Sequence, residues 1–339
     1  MDIVKMILKR LLYLVILMIG VATIVFVLTR LVPGDPVAAN LSQRNLSDPE
    51  IVAAFEAKWG LDQPVWKQYL LYMQQLLQLD LGTSMRTSQL VVDEIARCFP
   101  ATLELAIFSI IIASVFGILF GVVSALKRNS IVDQIVRSIS VVGVSIPTFW
   151  FALLLLYFFY YKLGISPGTG RISSRLSAPA TVTGMYVIDS LIEGDMAKAL
   201  DCLNHLVLPG ICLGSFTMGL IARTTRSNML DVMSTDYIRT AKAKGLPTSG
   251  LIWRHAIGNV LIPVLTVIGL GFGNLLGGTV LVEQIFTWPG LGQFAYQSVT
   301  TLDSPGIIGC SLVIALNYTV INIVVDILYG VIDPKVRLS

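Results

Sequence analysis

The sequence predicts an all-α polytopic membrane protein of six transmembrane helices, and two observations carry that expectation. Hydrophobic residues make up 55% of the chain and charged residues 13%, with a mean hydropathy of +0.77. Soluble proteins carry about 25% charged residues, and a soluble core cannot absorb this much apolar surface. The second observation is distribution: apolar residues gather in runs at 11–29, 102–126, 138–161, 205–221, 260–282 and 306–331. Each run is long enough to cross about 30 Å of hydrocarbon as a helix. In lipid every backbone N–H and C=O needs a partner, which only helices or a closed barrel supply. Period-2 alternation is absent, so helices are expected.

Lys5, Lys9 and Arg10 precede the first run in the manner of a signal peptide. The run is too long for a signal core and no small-x-small cleavage site follows it, so residues 1–31 are expected to stay as a tail and first transmembrane helix. Pro33-Gly34-Asp35-Pro36 forms a rigid turn that ends this helix. Residues 32–99 form the largest stretch outside the membrane, an extracytoplasmic helical insertion. Within it Ser47-Asp48-Pro49-Glu50 is a helix-start signature. A helix is expected over 64–79, with Trp66, Tyr69, Leu70, Met73, Leu76 and Leu77 on one face. It lies on the membrane surface or packs over its neighbours, or else it offers a docking surface to an extracytoplasmic partner.

Residues 100–333 hold the remaining five helices. The loop over 164–204, with Pro167, Gly168, Gly170 and Pro179, is turn-rich and forms a second part of any outer surface. Between the fourth and fifth runs lies a basic stretch over 235–250, reading Thr235-Asp236-Tyr237-Ile238-Arg239-Thr240-Ala241-Lys242-Ala243-Lys244-Gly245. Helix formers ended by Gly245 and Pro247 make a short amphipathic helix outside the bilayer. A second helical pattern follows through Trp253, Arg254, His255 and Asn259. In the fifth run Gly269, Gly273 and Gly277 recur every four residues, a stripe that lets another helix approach. Asn317, Asn322 and Asp326 place polar groups in the last helix, either as interhelical hydrogen bonds or as a substrate path. Residues 334–339 form a tail.

Orientation follows from Lys and Arg. With the N-terminus inside, the inner segments hold 14 basic residues against 5 acidic, and the outer segments 10 against 13. The positive-inside rule therefore puts both termini, and the basic stretch, in the cytoplasm.

No catalytic or metal constellation is expected. There is no G-x-x-x-x-G-K-[ST] phosphate loop, so the chain does not bind ATP in that way. The two histidines, His205 and His255, are too few for a metal relay, and Asp189, Glu193 and Asp195 lack calcium-loop spacing and are expected in a solvated loop. The four cysteines, Cys98, Cys202, Cys212 and Cys310, are scattered. They are either isolated apolar thiols or, for Cys98 and Cys202, a pair in an oxidising compartment.

The order and spacing of several motifs resemble the permease subunits of bacterial ABC importers for peptides and nickel, in the dipeptide and oligopeptide branch. Besides the 33–36 turn they are Asp80-Leu81-Gly82-Thr83-Ser84, Phe99-Pro100-Ala101-Thr102-Leu103-Glu104-Leu105, Ser145-Ile146-Pro147-Thr148-Phe149-Trp150, the 236–245 stretch, Phe286-Thr287-Trp288-Pro289-Gly290-Leu291-Gly292 and Asp333-Pro334. The resemblance covers nearly the whole chain. It implies the type I importer permease fold in a bacterial inner membrane, and a coupling helix around 239–245 that sits in a groove of an ATPase subunit. Tyr237, Arg239, Thr240, Ala241, Lys242, Ala243, Lys244 and Gly245 are then the ATPase-coupling residues. Arg239, Thr240 and Ala241 replace the Glu-Ala-Ala of the broader importer pattern, while Gly245 is retained.

The resemblance further implies a second homologous permease, two ATP-binding subunits and an extracytoplasmic substrate-binding protein, with lipid and no nucleic acid as other partners. ATP and Mg belong to the ATPase subunits, and no cofactor to this chain. Gly269, Gly273, Gly277, Asn317 and Asn322 become candidates for helix packing and the translocation path. Peptides are the expected cargo. Nickel, a metal chelate, glutathione or D-amino-acid dipeptides are the alternatives within that architecture, and a non-transporting receptor or scaffold is the alternative outside it.

Overall fold

The computed structural model describes residues 3–31, 34–277 and 280–332, with side chains over 12–31, 34–247, 249–277 and 280–324. Pro33, the Asp326 side chain, Asp333-Pro334 and the 334–339 tail lie outside the described residues. The chain forms two compact units, Met1–Thr102 with Pro289–Thr319, and Leu103–Trp288 with Val320–Ser339.

In the first unit the helix Ile3–Leu31 is the first span. Asp35 then accepts the Val37 N–H and starts the short helix Pro36–Asn40. Asp48 caps Pro49–Trp59 by accepting from Glu50, and Gly60 ends that helix at φ +63°, a left-handed residue that glycine adopts without strain. The surface helix runs Val65–Leu77. Its packing face is Tyr69, Tyr72, Met73 and Leu76, set against Ala22, Phe26, Ile308 and Leu312. Trp66, Leu70 and Leu77, expected on that same face, are exposed. One apolar stripe in the sequence is therefore two adjoining stripes in space.

The second span starts much earlier than residue 102, in a single helix Val91–Leu126. Its first turns are amphipathic, so hydropathy does not register them: Val91, Ile95 and Cys98 pack on Leu291, Phe294 and Cys310. Asp93 and Glu94 stand in the first turn, where the helix dipole favours negative charge. At the end of the unit's share of this helix, Thr102 Oγ1 accepts the Leu291 N–H at 2.7 Å. Nearby, buried Asp303 accepts from Ser84 Oγ (2.5 Å) and the Met85 N–H (2.9 Å), tying the 80–90 turn to the start of the last helix, Ser304–Ile332.

In the second unit the expected third span is broken. Ile131–Ser145 and Thr148–Lys162 meet at 111°, and Pro147 stands in the break, where it removes a backbone donor and keeps Ile146 extended. The fourth span is a 38-residue helix, Met196–Met233, that overruns the expected 205–221 at both ends. The overrun carries polar residues that are held by specific partners rather than by lipid. The fifth begins with the wider π-type turns of Leu251–Ala256 and continues as Ile257–Gly277, and beyond residues 278–279 the helix Val280–Ile285 is described.

The fourth span is the centre of this unit, and small residues let its neighbours come close. A methyl on Gly214 would lie 2.8 Å from the Ser109 carbonyl oxygen of the second span. One on Gly219 would lie 2.7 Å from that of Ser140 in the third. On the fifth span, a methyl at Gly271 would meet Thr217 Cγ2 at 2.5 Å. Backbone-to-backbone approach of this kind replaces the hydrophobic driving force that lipid cancels.

Candidate functional site: the basic helix and its anchorage

The basic stretch folds as the helix Asp236–Ala243. Thr235 enters it in an extended conformation, with its hydroxyl turned back to the Val232 carbonyl at 2.6 Å. Gly245, at φ +82°, turns the chain out before Pro247. The helix packs against Leu251–Ala256. Ile238 is its buried residue, at 2% exposure, and Asn259 Nδ2 donates to Tyr237 Oη at 2.9 Å. Beneath this contact Ile252, Ala256 and Val260 join Ile221 and Met229 of the fourth span in one apolar cluster.

Tyr237, Arg239, Thr240, Lys242, Ala243, Lys244 and Gly245 are exposed, and Ala241 is half-buried. Arg239 reaches only Asp236, one turn away, at 3.4 Å in full exposure, a contact too solvated to hold the arginine. Exposed Trp253 and Arg254 extend the same surface. The result is a cationic plate fixed by one apolar bolt to the ends of two spans.

Asp133, read in the sequence only as a charge, braces the same end. Its buried carboxylate takes both Arg226 Nε (2.8 Å) and Arg226 Nη2 (2.9 Å), along with Ser124 Oγ (2.5 Å) and the Asn129 N–H (2.9 Å). A bidentate guanidinium pair with its remaining lone pairs satisfied is rigid as well as strong. It ties the 127–130 turn and the third span to the fourth, two turns before the fourth span ends.

At the other end of this unit Glu104 does comparable work. Arg171 Nη2 donates to Glu104 Oε2 at 2.6 Å and to the Gly184 carbonyl at 2.9 Å, while Glu104 Oε1 accepts the Val187 N–H at 2.8 Å. The guanidinium lies 3.6 Å from the Tyr186 ring centroid. Asp189, expected to be a solvated loop residue, is buried and takes N–H donors from Thr183 and Gly184 at 2.8 and 2.9 Å and the Thr183 hydroxyl at 2.7 Å. Burial pushes its carboxyl up, but these donors outweigh burial and hold it below the usual range. The 164–204 loop is thus a built element and carries the helix Tyr186–Ile192. His205 lies inside the fourth helix rather than at its start, with Nδ1 2.8 Å from the Asp201 carbonyl. All four cysteines are buried free thiols, Cys98 and Cys202 included.

The expected glycine stripe is not uniform. Gly273 is buried, Gly269 half-buried and Gly277 exposed, and Gly271 between them makes a close approach to Thr217 of the fourth span. Asn317 is half-buried and donates back to the Val313 carbonyl of its own helix at 2.8 Å; Asn322 is half-buried further along.

Several long apolar helices, with an exposed basic helix inserted between the fourth and fifth spans, define a polytopic membrane protein. Comparison with known proteins makes that class specific. Residues 117–338 match the model described as Binding-protein-dependent transport system inner membrane component, and residues 3–106 match that for the N-terminal part of such membrane components. The dipeptide transport system permease protein DppB of Alkalihalophilus pseudofirmus is 44% identical over 97% of this chain and 98% of its own length. The probable D,D-dipeptide permease DdpB of Escherichia coli K12 is 42% identical, covering 95% and 94%. The glutathione permease GsiC of Salmonella choleraesuis is 38% identical over 98% of each. The chain belongs to the binding-protein-dependent transport system inner-membrane components, and is a multi-pass membrane permease component of an ABC importer.

Proposed function

We propose that this chain forms, with a second homologous permease, the translocation path for dipeptides and similar short peptides handed over by an extracytoplasmic binding protein. Two separate ATPase subunits carry the ATP and Mg, and one of them docks on the exposed basic helix. The observation that carries the coupling role is the helix itself: a cationic surface outside the spans, with one buried side chain fixing it to them. Tyr237, Arg239, Thr240, Lys242, Ala243, Lys244 and Gly245 make the contact, with Ala241 beneath them. The basic helix and both termini lie on the cytoplasmic side, a reading supported by the distribution of Lys and Arg. The peptide assignment draws on the relatives named for dipeptide transport. Gly269, Gly273, Gly277, Asn317 and Asn322 are proposed as path residues on their own helices; neutral amides give a polar cargo replaceable contacts, which alternating access requires.

Reconstitution of the complete importer in proteoliposomes tests this. Uptake of a labelled dipeptide that needs ATP and the binding protein, and that excess unlabelled dipeptide competes away, is the expected result. Competition by glutathione or nickel but not by dipeptides would move the substrate assignment. Absence of ATP-dependent uptake of any of these would remove the transport role.

A further inference from the structure

We propose that the helix Val65–Leu77 is embedded in lipid along its Trp66–Leu70–Leu77 stripe, lying within the membrane leaflet at the Leu31 end of the first span rather than above it. Depth is the first argument. Tyr69 Oη is 2.9 Å from Thr23 Oγ1, and the helix also covers Phe26, Ile308 and Leu312. Along the first span Thr23 stands eight residues inside Leu31, or about 12 Å, and Phe26 about 8 Å. Along the last helix Ile308 and Leu312 stand about 6 and 12 Å inside Ser304. Two spans of the same unit thus place this helix against side chains about 6–12 Å inside the span ends, which overlaps the depth of about 5–10 Å at which the apolar faces of interfacial helices are buried.

The second argument is the division of its surface. At about 100° per residue, Tyr72, Tyr69, Met73 and Leu76 share the sector turned to the spans. Trp66, Leu70 and Leu77 fill the next sector, with exposures of 66%, 57% and 84%. Gln74, Lys67 and Gln75 lie on the far side, with Leu71 the one apolar residue among them, at 47% exposure. A helix on a membrane wall meets three media, protein, hydrocarbon and water, and this one presents three matching faces. A helix in water would need only two.

Leu79 gives an independent third argument. The Asp80 N–H bonds the Gln75 carbonyl and the Leu79 N–H that of Leu76, a helix ending whose left-handed residue is commonly glycine. Here that residue is leucine, at φ +61° and almost fully exposed. A strained backbone that projects an apolar side chain outward is explained when the side chain enters lipid.

The test uses the assembled importer in lipid nanodiscs, with nitroxide labels introduced singly at Leu70→Cys, Leu77→Cys and Gln74→Cys; the native thiols are buried. Collisional relaxation is read with oxygen, which partitions into lipid, and with a water-soluble nickel chelate. Labels at 70 and 77 are expected to favour oxygen by several-fold and the label at 74 to favour the chelate. Chelate preference at 77 would overturn the proposal, placing the stripe in water. Shielding of 70 and 77 from both reagents would also overturn it, by showing a protein partner on the stripe. Neither result depends on which substrate is carried.

Discussion

Ile238 decides whether the basic helix transmits force or merely waves. Its side chain is the buried one on an otherwise polar segment, so Ile238→Ala should weaken that anchorage by about 2 kcal/mol, the lower end for a buried isoleucine. The expected outcome is a permease that inserts and assembles but in which ATP hydrolysis no longer follows substrate, measured as loss of substrate-stimulated ATPase activity. Gly245 and Pro247 were legible as the end of this helix because the signal is local backbone chemistry. Ile238 was not, because the segment its helix packs against, Leu251–Ala256, lies beyond a turn and a single isoleucine among lysines sets no pattern.

Asp189 makes a prediction with a pH sign. Its carboxyl is held below the usual range in the folded loop, so its contribution is complete above the unfolded value of about 3.9. That contribution is lost as pH falls through the lower folded value. The loop should keep its resistance to proteolysis from neutral pH down to about pH 4, and lose it only in stronger acid. Asp189→Asn should cost about 2 kcal/mol locally, since several N–H donors lose a charged acceptor. The variant loop should be cut faster at neutral pH and show little further change on acidification. The sequence placed Asp189 among solvated loop charges because its donors come from a turn that no periodicity announces.

At the scale of the helices, the six apolar runs were readable because lipid imposes length and hydropathy together. The ends of those helices were not. Val91–Phe99 is amphipathic and packs on Leu291 and Phe294, so it continues the second span without the composition of one. The break at Pro147 was present as a residue, but the apolar run continues through it and conceals the bend. Arg171 and Glu104 are 67 residues apart, and an ion pair between them leaves no trace in spacing. Glycine behaves similarly: the regular stripe at 269, 273 and 277 is visible as a pattern, while the close approaches at Gly214, Gly219 and Gly271 follow no such repeat. Gly219→Val should therefore impair folding, since a branched side chain meets the Ser140 backbone, and Gly277→Ala should be tolerated. Thermal stability of the two purified variants in detergent checks the contrast, with a loss of several degrees expected for the first alone.

For the whole chain, the proposed orientation is checked by single cysteines at exposed or half-buried positions. Gln43→Cys and Ser173→Cys should react with an impermeant maleimide added outside. Ser130→Cys and Ser249→Cys should react only after the membrane is opened. Labelling of 249 from outside would reverse the orientation and remove the docking argument with it. The charges along the chain point one way only when counted loop by loop; the net charge of +3 says nothing about sidedness.

The fourth span has a mechanical consequence. Met196–Met233 is unbroken over 38 residues, about 57 Å of helix. One end is reached within a few residues by the loop that Asp201 ties through Ser173, and the other leads within three residues to the basic helix. A stiff rod with both ends attached is a lever. Pro209 removes one backbone donor from it, marking the point of lowest bending resistance. The arm from there to Met233 is about 36 Å long, so a tilt of about 5° carries the docking end about 3 Å. A displacement the size of a peptide group at the Met233 end, where the proposed ATPase contact follows within three residues, thus becomes a tilt of about 5° at Pro209, carried along a single piece of chain.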